Sequence, residues 1–390
     1  MIVTLALAGL LLLAMSAHPF TTYPLSLVLL ARWRPRPLAA RPPMPAGPLA
    51  RAAFCLSAYN EERVIRAKVD NVLASGELEV LVYVDGASDG TAMAVREYGD
   101  RVRLVASDAR LGKTHGMNTL VAMTTADILV FSDANVLFAP NALPALLAPF
   151  ADPAVGCVCG HLVYTRADGS ATAATGSLYW RLEEAIKTLE SATGSVMGAD
   201  GSIFALRRSV HERVPADLID DMYVSLAALC NGHRVVRTAG AVAYEEAVSH
   251  PGEEFRRKVR IACQAFNVHR ALWPRLRRLP PLDLYKYVSH KLVRWLTAPL
   301  QAAGLLCLLA AMAAAGAWWL LGASLLAGGA AGLLLLRAQS GVLGALRSVM
   351  SAFIATGIGV WRSCRGDRFQ TWSPPDSART LPRATSGSIG

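Results

Sequence analysis

Side chains that could bind a charged ligand follow four apolar runs of the sequence: Tyr59, Asp85, Lys113 and Asp133. Each aspartate alone is typical of a turn or a helix cap. Together they suit a nucleotide sugar, because an aromatic ring and a carboxylate can bind a base and its ribose while a lysine offsets diphosphate charge. Asn135 stands two residues after Asp133. Since hard cations such as Mg2+ or Mn2+ take oxygen ligands, this pair predicts a partial metal site that water and the diphosphate would complete.

The position of these side chains depends on the elements that carry them. Short strand-like runs alternate with stretches of helical periodicity, which predicts βαβ units, a mainly parallel α/β sheet and helices on both of its faces. In such sheets ligands bind at the carboxyl ends of the strands, where the four side chains stand. The predicted strands are Phe54–Tyr59, Leu81–Asp85, Val102–Ser107, Ile128–Asp133 and Val155–Tyr164. The predicted helices are Glu61–Ser75, Thr91–Tyr98, Lys113–Met123 and Ala142–Phe150.

Several other classes of protein are excluded or disfavoured. No GxGxxG follows the first predicted strand and no GxxxxGK[ST] occurs, which argues against the dinucleotide-binding and P-loop folds. The net charge of +10 does not indicate nucleic acid, because the cations cluster beside apolar runs. These cations are Arg32, Arg34, Arg36 and Arg41 after the first run, and Arg275, Arg277 and Arg278 before the second. The seven cysteines lack zinc-site spacing and predict reduced thiols.

The two ends of the chain carry an excess of apolar residues. The sequence is 53% hydrophobic and only 17% charged, with uncharged runs over Met1–Phe20 and Leu296–Leu336. The first run lacks the basic segment and cleavage site of a signal peptide, which favours a retained anchor. The flanking cations then predict a multi-pass protein of the inner membrane, in contact with its lipids, whose globular part faces the cytoplasm.

The same patterns predict six segments. They are an anchor (1–34), a proline-rich linker (35–50), a catalytic domain (51–279), an amphipathic interfacial helix (280–296), a transmembrane pair (297–336), and an interfacial or transmembrane helix with a cytoplasmic tail (337–390).

Seven short motifs occur in a fixed order along the chain. They are SAYNEE (57–62), VDGASDGT (84–91), RLGKTHGMN (110–118), FSDAN (131–135), GADGSIFALRR (198–208), DDM (220–222) and RRKVR (256–260). In these motifs the sequence resembles the inverting, GT-A type glycosyltransferases of family two, in the membrane-bound branch that includes cellulose, chitin and hyaluronan synthases. The resemblance covers roughly residues 52–272, and it implies the GT-A fold, a Rossmann-like mixed sheet.

The resemblance also implies roles for individual residues. Tyr59 and Asp85 match contacts to the nucleoside, and Lys113 matches a contact to the base or phosphates. Asp133 matches the first acid of the metal-binding DxD motif. Asp221 matches the general base, which takes the proton of the acceptor hydroxyl as that oxygen attacks the anomeric carbon.

Two motifs depart from the family pattern. Asn135 replaces the second acid of DxD, which predicts weaker metal binding or a metal held by one protein carboxylate. The QxxRW motif of processive synthases appears as Arg257–Ile261, where only Arg260, the matching donor-site arginine, is in register. The missing tryptophan puts long-chain polymerisation in doubt. A solvated or membrane-facing basic helix explains RRKVR without a site.

Three further residues have two interpretations each. Asp200, between glycines, and Trp180 are candidates for acceptor binding, although a turn and a core-packing helix explain them as well. Trp372 resembles part of a gating segment that closes over the nucleotide, or it is an interfacial anchor.

The resemblance predicts an inverting hexosyltransferase that uses a UDP-sugar, a glycan or lipid-linked acceptor and a divalent cation, in synthesis of the cell envelope or an exopolysaccharide. Two alternatives stay open. One is a polyprenyl-phosphate sugar transferase that makes a single transfer. The other is a non-catalytic scaffold subunit that partners an export or assembly complex.

Overall fold

The central element is a sheet of eight strands in the part of the chain that the computed structural model describes, which comprises residues 1–37, 51–165, 171–246, 251–338 and 340–371. The strand order is β3-β2-β1-β4-β7-β6-β8-β5. The strands are β1 (Ala52–Ala58), β2 (Glu79–Asp85), β3 (Arg103–Ser107), β4 (Ile128–Ser132), β5 (Leu137–Phe138), β6 (Val155–Tyr164), β7 (Ile203–Arg207) and β8 (Arg234–Glu245).

The first four strands form the predicted parallel half of the sheet, with β1 between β2 and β4 and with β3 outside β2. Beyond β4 the sheet is mixed. Strand β7 pairs antiparallel with both β4 and β6, and β5 pairs antiparallel with β8, while β6 and β8 are parallel. The predicted mixed GT-A sheet is thus confirmed, although β5, β7 and β8 were not among the predicted strands.

The helices of the globular part cover both faces of the sheet. Successive strand residues alternate between two cores: Leu81 and Tyr83 lie in one, Val82 and Val84 in the other. Because both faces are buried, the strands read as continuous apolar runs. The helices are α3 (Glu62–Ala74), α4 (Thr91–Arg96), α5 (Lys113–Met123), α6 (Ala142–Leu147), α7 (Ala171–Ala192), α8 (Asp220–Cys230) and α9 (Pro251–Leu276).

Four helices among the described residues are long and apolar enough to cross a membrane: Ile2–Phe20, Thr297–Ala314, Trp318–Arg337 and Gly341–Cys364. The first contains α1 (Ile2–Ala17), and the others are α12, α13 and α14. Helices α1 and α12 cross closely, since a Cβ atom added to Gly9 would lie 2.9 Å from the carbonyl oxygen of Gly304. Helix α2 (Thr22–Trp33) follows α1 and contacts α7 of the globular part.

The segment predicted as one amphipathic helix is divided into α10 (Pro281–Tyr287), a π-helical turn (Val288–Leu292) and α11 (Val293–Trp295). Its polar side faces α7. Lys286 and His290 are fully buried, and His290 Nδ1 lies 2.8 Å from Oε1 of Glu190. The location of this segment in the membrane interface stays a prediction.

Candidate active site

Lys113 and Asp133 meet at the carboxyl edge of the sheet, as their positions in the sequence predict. Lys113 is the first residue of α5, and Asp133 directly follows β4. The Lys113 Nζ atom donates to Oδ1 of Asp133 at 2.7 Å and lies 3.9 Å from Oδ1 of Asp220. Burial opposes the charge of the lysine, but Asp133, Asp220 and Asp221 together raise its pKa above the ordinary value. Lys113 is therefore a stable cation in an acidic cleft.

Asp221 approaches the same cleft from the start of α8. A Cβ atom added to Gly201 would lie 2.8 Å from Asp221 Oδ2 and 3.4 Å from Lys113 Nζ. The glycine thus keeps open the space that the carboxylate and the ammonium share. Burial, followed by the charge of Asp220, raises the pKa of Asp221 to about 7. A carboxyl group with this pKa can accept and release a proton near neutral pH.

The structure places Asp85 below the loop that leads into α5. Its side chain is 3% exposed, and its two carboxylate oxygens accept hydrogen bonds from the backbone nitrogens of Leu111 (2.7 Å) and Gly112 (2.9 Å). These bonds fix the loop directly before Lys113. Direct contact between Asp85 and a nucleoside stays a prediction, and the observed contacts are with this loop.

The ring of Tyr59 is covered by the guanidinium group of Arg110, whose central carbon lies 3.6 Å from the ring centroid. Stacking of this kind is a cation–π contact. Arg110 was not among the predicted site residues. Its only sequence signal is its place in RLGK, three residues before Lys113.

Asn135, the residue that replaces the second acid of DxD, donates from Nδ2 to Oε1 of Glu245 at 3.2 Å. Glu245 is buried at the end of β8, and its burial raises its pKa. No group of three or more His, Cys, Asp or Glu side chains among the described residues could alone hold a metal ion. The Asp133 carboxylate and the Asn135 amide oxygen are ligands that a hard cation takes, so the residues fit a cation whose remaining ligands are phosphate and water.

The two predicted acceptor residues are joined by Lys187, which was not among the predicted site residues. Its Nζ atom donates to Asp200 and lies 5.1 Å from the centroid of a Trp180 ring. The Trp180 Nε1 atom donates to the carbonyl oxygen of Leu162 at 3.0 Å. Asp200 directly precedes Gly201, beside which Asp221 and Lys113 meet, so Asp200 lies next to the cleft. Trp180 is connected to the cleft through Lys187.

Arg260 lies on α9 and links this helix to the segment after α14. It donates to Gln264 at 2.9 Å, and Gln264 donates to the carbonyl oxygen of Phe369, also at 2.9 Å. Burial, then the nearby charge of Arg257, lowers the pKa of Arg260 to about 10, and the charges of Asp133 and Asp221 partly offset this. Trp372, the predicted gating residue, lies outside the described residues.

The mixed sheet and the acidic cleft at its carboxyl edge define a GT-A glycosyltransferase. Residues 50–264, more than half of the chain, match the family described as "Glycosyltransferase like family 2", and the chain belongs to that family.

Relatives agree with this assignment. An N-acetylglucosaminyltransferase of Rhizobium leguminosarum bv. viciae is 23% identical over 248 residues, which cover 58% of this chain and 58% of the relative. Another, from Rhizobium sp. (strain N33), is 24% identical over 256 residues, which cover 61% and 54%. The chain therefore spans little more than half the length of these curated relatives. Among solved structures, the mannosyltransferase PcManGT from Pyrobaculum calidifontis, in complex with GDP-Man and Mn2+, is 27% identical with a TM-score of 0.67, over 91% of this chain and 99% of that one.

Proposed function

We propose that the protein transfers a hexosyl group, with inversion, from a nucleotide sugar to the hydroxyl group of a glycan or lipid-linked acceptor. The observation that carries this proposal is that three charged side chains meet in one cleft. Asp221 and Lys113 both approach Gly201, which has no side chain to separate them, and Lys113 donates to Asp133. The relatives are named for the transfer of two different sugars, N-acetylglucosamine and mannose. The nucleotide sugar therefore stays open between UDP- and GDP-linked donors, and the UDP-sugar stays a prediction.

In this proposal Asp221 takes the proton of the acceptor hydroxyl. The freed oxygen forms a bond to the anomeric carbon on the face opposite the diphosphate, the bond to the diphosphate breaks, and the configuration inverts. Lys113 stabilises the negative charge that develops on the departing diphosphate. Asp85 holds the loop at Leu111 and Gly112, so that Lys113 starts α5 in a fixed position.

A divalent cation fits the same proposal, and the solved mannosyltransferase contains Mn2+ with its nucleotide sugar. Asp133 and Asn135 would hold the cation, with Mg2+ and Mn2+ both suited to these oxygen ligands. When bound, such an ion offsets the charge of the diphosphate and supports its departure.

We place the globular part on the cytoplasmic face of the inner membrane, in accordance with the cations that flank the apolar helices. The C-terminal part of α14 returns to the globular side, because a Cβ atom on Gly357 would lie 3.2 Å from that of Ala298, at the start of α12. If α12 crosses the membrane, Ala314 at its end lies on the side opposite the globular part, whereas Gly357 lies on the globular side. The chain must then cross back once between these two residues, so α13 and α14 would not both cross completely.

The decisive test of the proposal is release of nucleoside diphosphate from UDP- and GDP-linked sugars by the purified membrane protein, with Mn2+, Mg2+ or EDTA. We expect turnover with at least one donor in the presence of a divalent cation, and loss of that turnover with EDTA. Mass analysis of the product would distinguish a single transfer to a polyprenyl phosphate from glycan extension. Absence of turnover with every donor and acceptor offered would favour the scaffold alternative.

The value of kcat/KM is expected to rise with pH through an apparent pKa near 7, because Asp221 must lose its proton before it can act as a base. Burial and the charge of Asp220 both raise the pKa of Asp221, so Asp220→Asn should move the rising limb to lower pH by about one unit. The measurement is kcat/KM against pH, because this ratio reports the pKa of the free enzyme, whereas kcat reports the pKa in the substrate complex. A limb that does not move in Asp220→Asn would contradict the assignment of this pKa to Asp221.

A further inference from the structure

Lys68 is a fully buried lysine on α3, below the carboxyl edge of the sheet. Its Nζ atom donates to Oγ of Ser132 at 2.9 Å and to the carbonyl oxygen of Val136 at 2.7 Å. These two residues stand on either side of the segment 133–135 in the chain. The two hydrogen bonds therefore join both ends of the segment that contains the proposed metal ligands Asp133 and Asn135.

The surroundings of Lys68 are costly for a charged group. The cost comes from its full burial, which removes the ammonium group from water. Two cation–π contacts offset part of this cost, since the Nζ atom lies 3.9 Å from the centroid of the Phe138 ring and 5.2 Å from that of Phe54. Lysine is almost never fully buried unless it is paired. Its two hydrogen bonds to the segment ends, together with the cation–π contacts, compensate its burial.

Helix α3 holds the same segment at a second point, one helical turn after Lys68. The Nδ2 atom of Asn71 donates to the carbonyl oxygen of Phe138 at 2.9 Å, and the backbone nitrogen of Phe138 donates to Oδ1 of Asn71 at 2.7 Å. Residues three apart lie on the same face of a helix. One polar face of α3 therefore fixes the chain from Ser132 to Phe138.

Through Ser132, Lys68 is also connected by hydrogen bonds to the opposite side of the cleft. Ser132, which accepts from Lys68, donates from Oγ to the carbonyl oxygen of Ser202 at 2.6 Å. Ser202 directly follows Gly201, beside which Asp221 and Lys113 meet. A short series of hydrogen bonds thus connects Lys68 to the backbone on both sides of the cleft.

We infer that Lys68 is a positioning residue, which holds the segment 133–135 in the conformation that binds a divalent cation together with a nucleoside diphosphate. This inference rests on the proposed function. Lys68 acts through the backbone of its neighbours and has no part in bond making or proton transfer. Groups that orient metal ligands in this way typically change metal affinity by 10- to about 100-fold when they are removed.

The test is Mn2+ binding to the full-length protein, measured by electron paramagnetic resonance with UDP and, separately, with GDP, in the absence of an acceptor. Lys68→Met has nearly the same length but donates no hydrogen bond, and it should raise the Kd of Mn2+ by about tenfold or more. Ser132→Ala should raise the Kd less. In the double variant the change in the free energy of Mn2+ binding should be smaller than the sum of the two single changes, because both substitutions remove the same Lys68–Ser132 hydrogen bond.

Lys286→Met is the matched control. Lys286 is also fully buried and donates to a backbone carbonyl, that of Glu190 at 3.2 Å. Loss of this lysine should lower the melting temperature without changing the Kd of Mn2+.

The outcomes separate this inference from the proposed function. If the wild type binds Mn2+ and both Lys68→Met and Ser132→Ala bind it equally well, Lys68 has no positioning role. If Lys68→Met does not fold, a wild-type Kd in the folded Ser132→Ala variant overturns the inference. If the wild type itself binds no Mn2+ with either nucleotide, the proposed metal-dependent function is wrong, and the inference about Lys68, which rests on it, is overturned as well.

Discussion

Asp221→Asn is expected to lower kcat by about a thousandfold, a typical contribution of a general base. Asparagine has almost the same shape as aspartate but cannot take the proton of the acceptor hydroxyl. The side-chain oxygen can still accept from the backbone nitrogen of Met222, as Asp221 does at 2.6 Å. The loss should therefore appear in kcat, measured as nucleoside diphosphate release, with little change in the KM for the donor.

The stability of the same variant distinguishes a catalytic role from misfolding. Burial and Asp220 raise the pKa of Asp221 to about 7, so the folded protein favours the protonated carboxyl and loses stability as pH rises through that value. Asparagine removes this penalty. At about pH 8 the melting temperature of Asp221→Asn should therefore equal or exceed that of the wild type.

A matched control is Asp127→Asn, which neutralises a half-exposed carboxylate 2.5 Å from Arg51 at the protein surface and should keep full activity. A rate in Asp221→Asn close to that of the wild type would remove the proposed base. It would also favour the polyprenyl-phosphate acceptor, because a phosphate oxygen is already ionised at neutral pH and needs no base.

The parallel half of the sheet could be predicted because its strands are buried on both faces and alternate with helices. The site residues Lys113 and Asp133 followed from the same reasoning, since polar side chains after such strands collect at one edge. Strand β7 (Ile203–Arg207) was missed because a short apolar run between two turns has no distinctive period. Its antiparallel insertion beside β4 is a long-range arrangement that local sequence does not specify.

The supporting residues of the site were harder to predict than the site itself. Lys68 stands four residues after Val64 and four before Val72 in ERVIRAKVDNVLA, so the periodicity places it on the apolar face of α3 but does not show which groups it contacts. Its contacts with Ser132 and Val136 join residues 64 and 68 positions apart. Glu245 is likewise 110 positions from Asn135. Such pairs leave no periodic signal, because only the folded sheet brings them together.

The contact with Glu245 explains why an asparagine, and not a second aspartate, stands at position 135. An aspartate in its place would bring a second carboxylate to the position that now donates to Glu245 at 3.2 Å. Two carboxylates this close in a buried site repel each other unless one takes a proton. The asparagine in place of the second DxD acid is therefore matched to Glu245 at the end of β8. The amide of Asn135 can donate to this carboxylate, whereas an ionised aspartate could not.

Asp133→Ala is expected to lower kcat/KM for the nucleotide sugar by at least about a thousandfold, because it removes the one carboxylate of the proposed cation site. It also leaves Lys113 without its partner at 2.7 Å. The measurement is kcat/KM over a range of Mn2+ concentrations, together with Mn2+ binding in the presence of UDP or GDP. Both the turnover and the bound Mn2+ should be lost.

Lys113→Met supplies the comparison that separates the two roles of Asp133. If Asp133 serves mainly to hold the cation, Asp133→Ala should lose Mn2+ binding. Lys113→Met should keep Mn2+ binding, because Asp133 is then released from its ion pair, but it should lose turnover. If Asp133 serves mainly to hold Lys113, the two variants should bind Mn2+ equally well and lose similar activity. Since Asp133 is one-third exposed and Lys113 is less so, the carboxylate is open to a ligand from the cleft while the lysine approaches it from α5. This arrangement favours the first result.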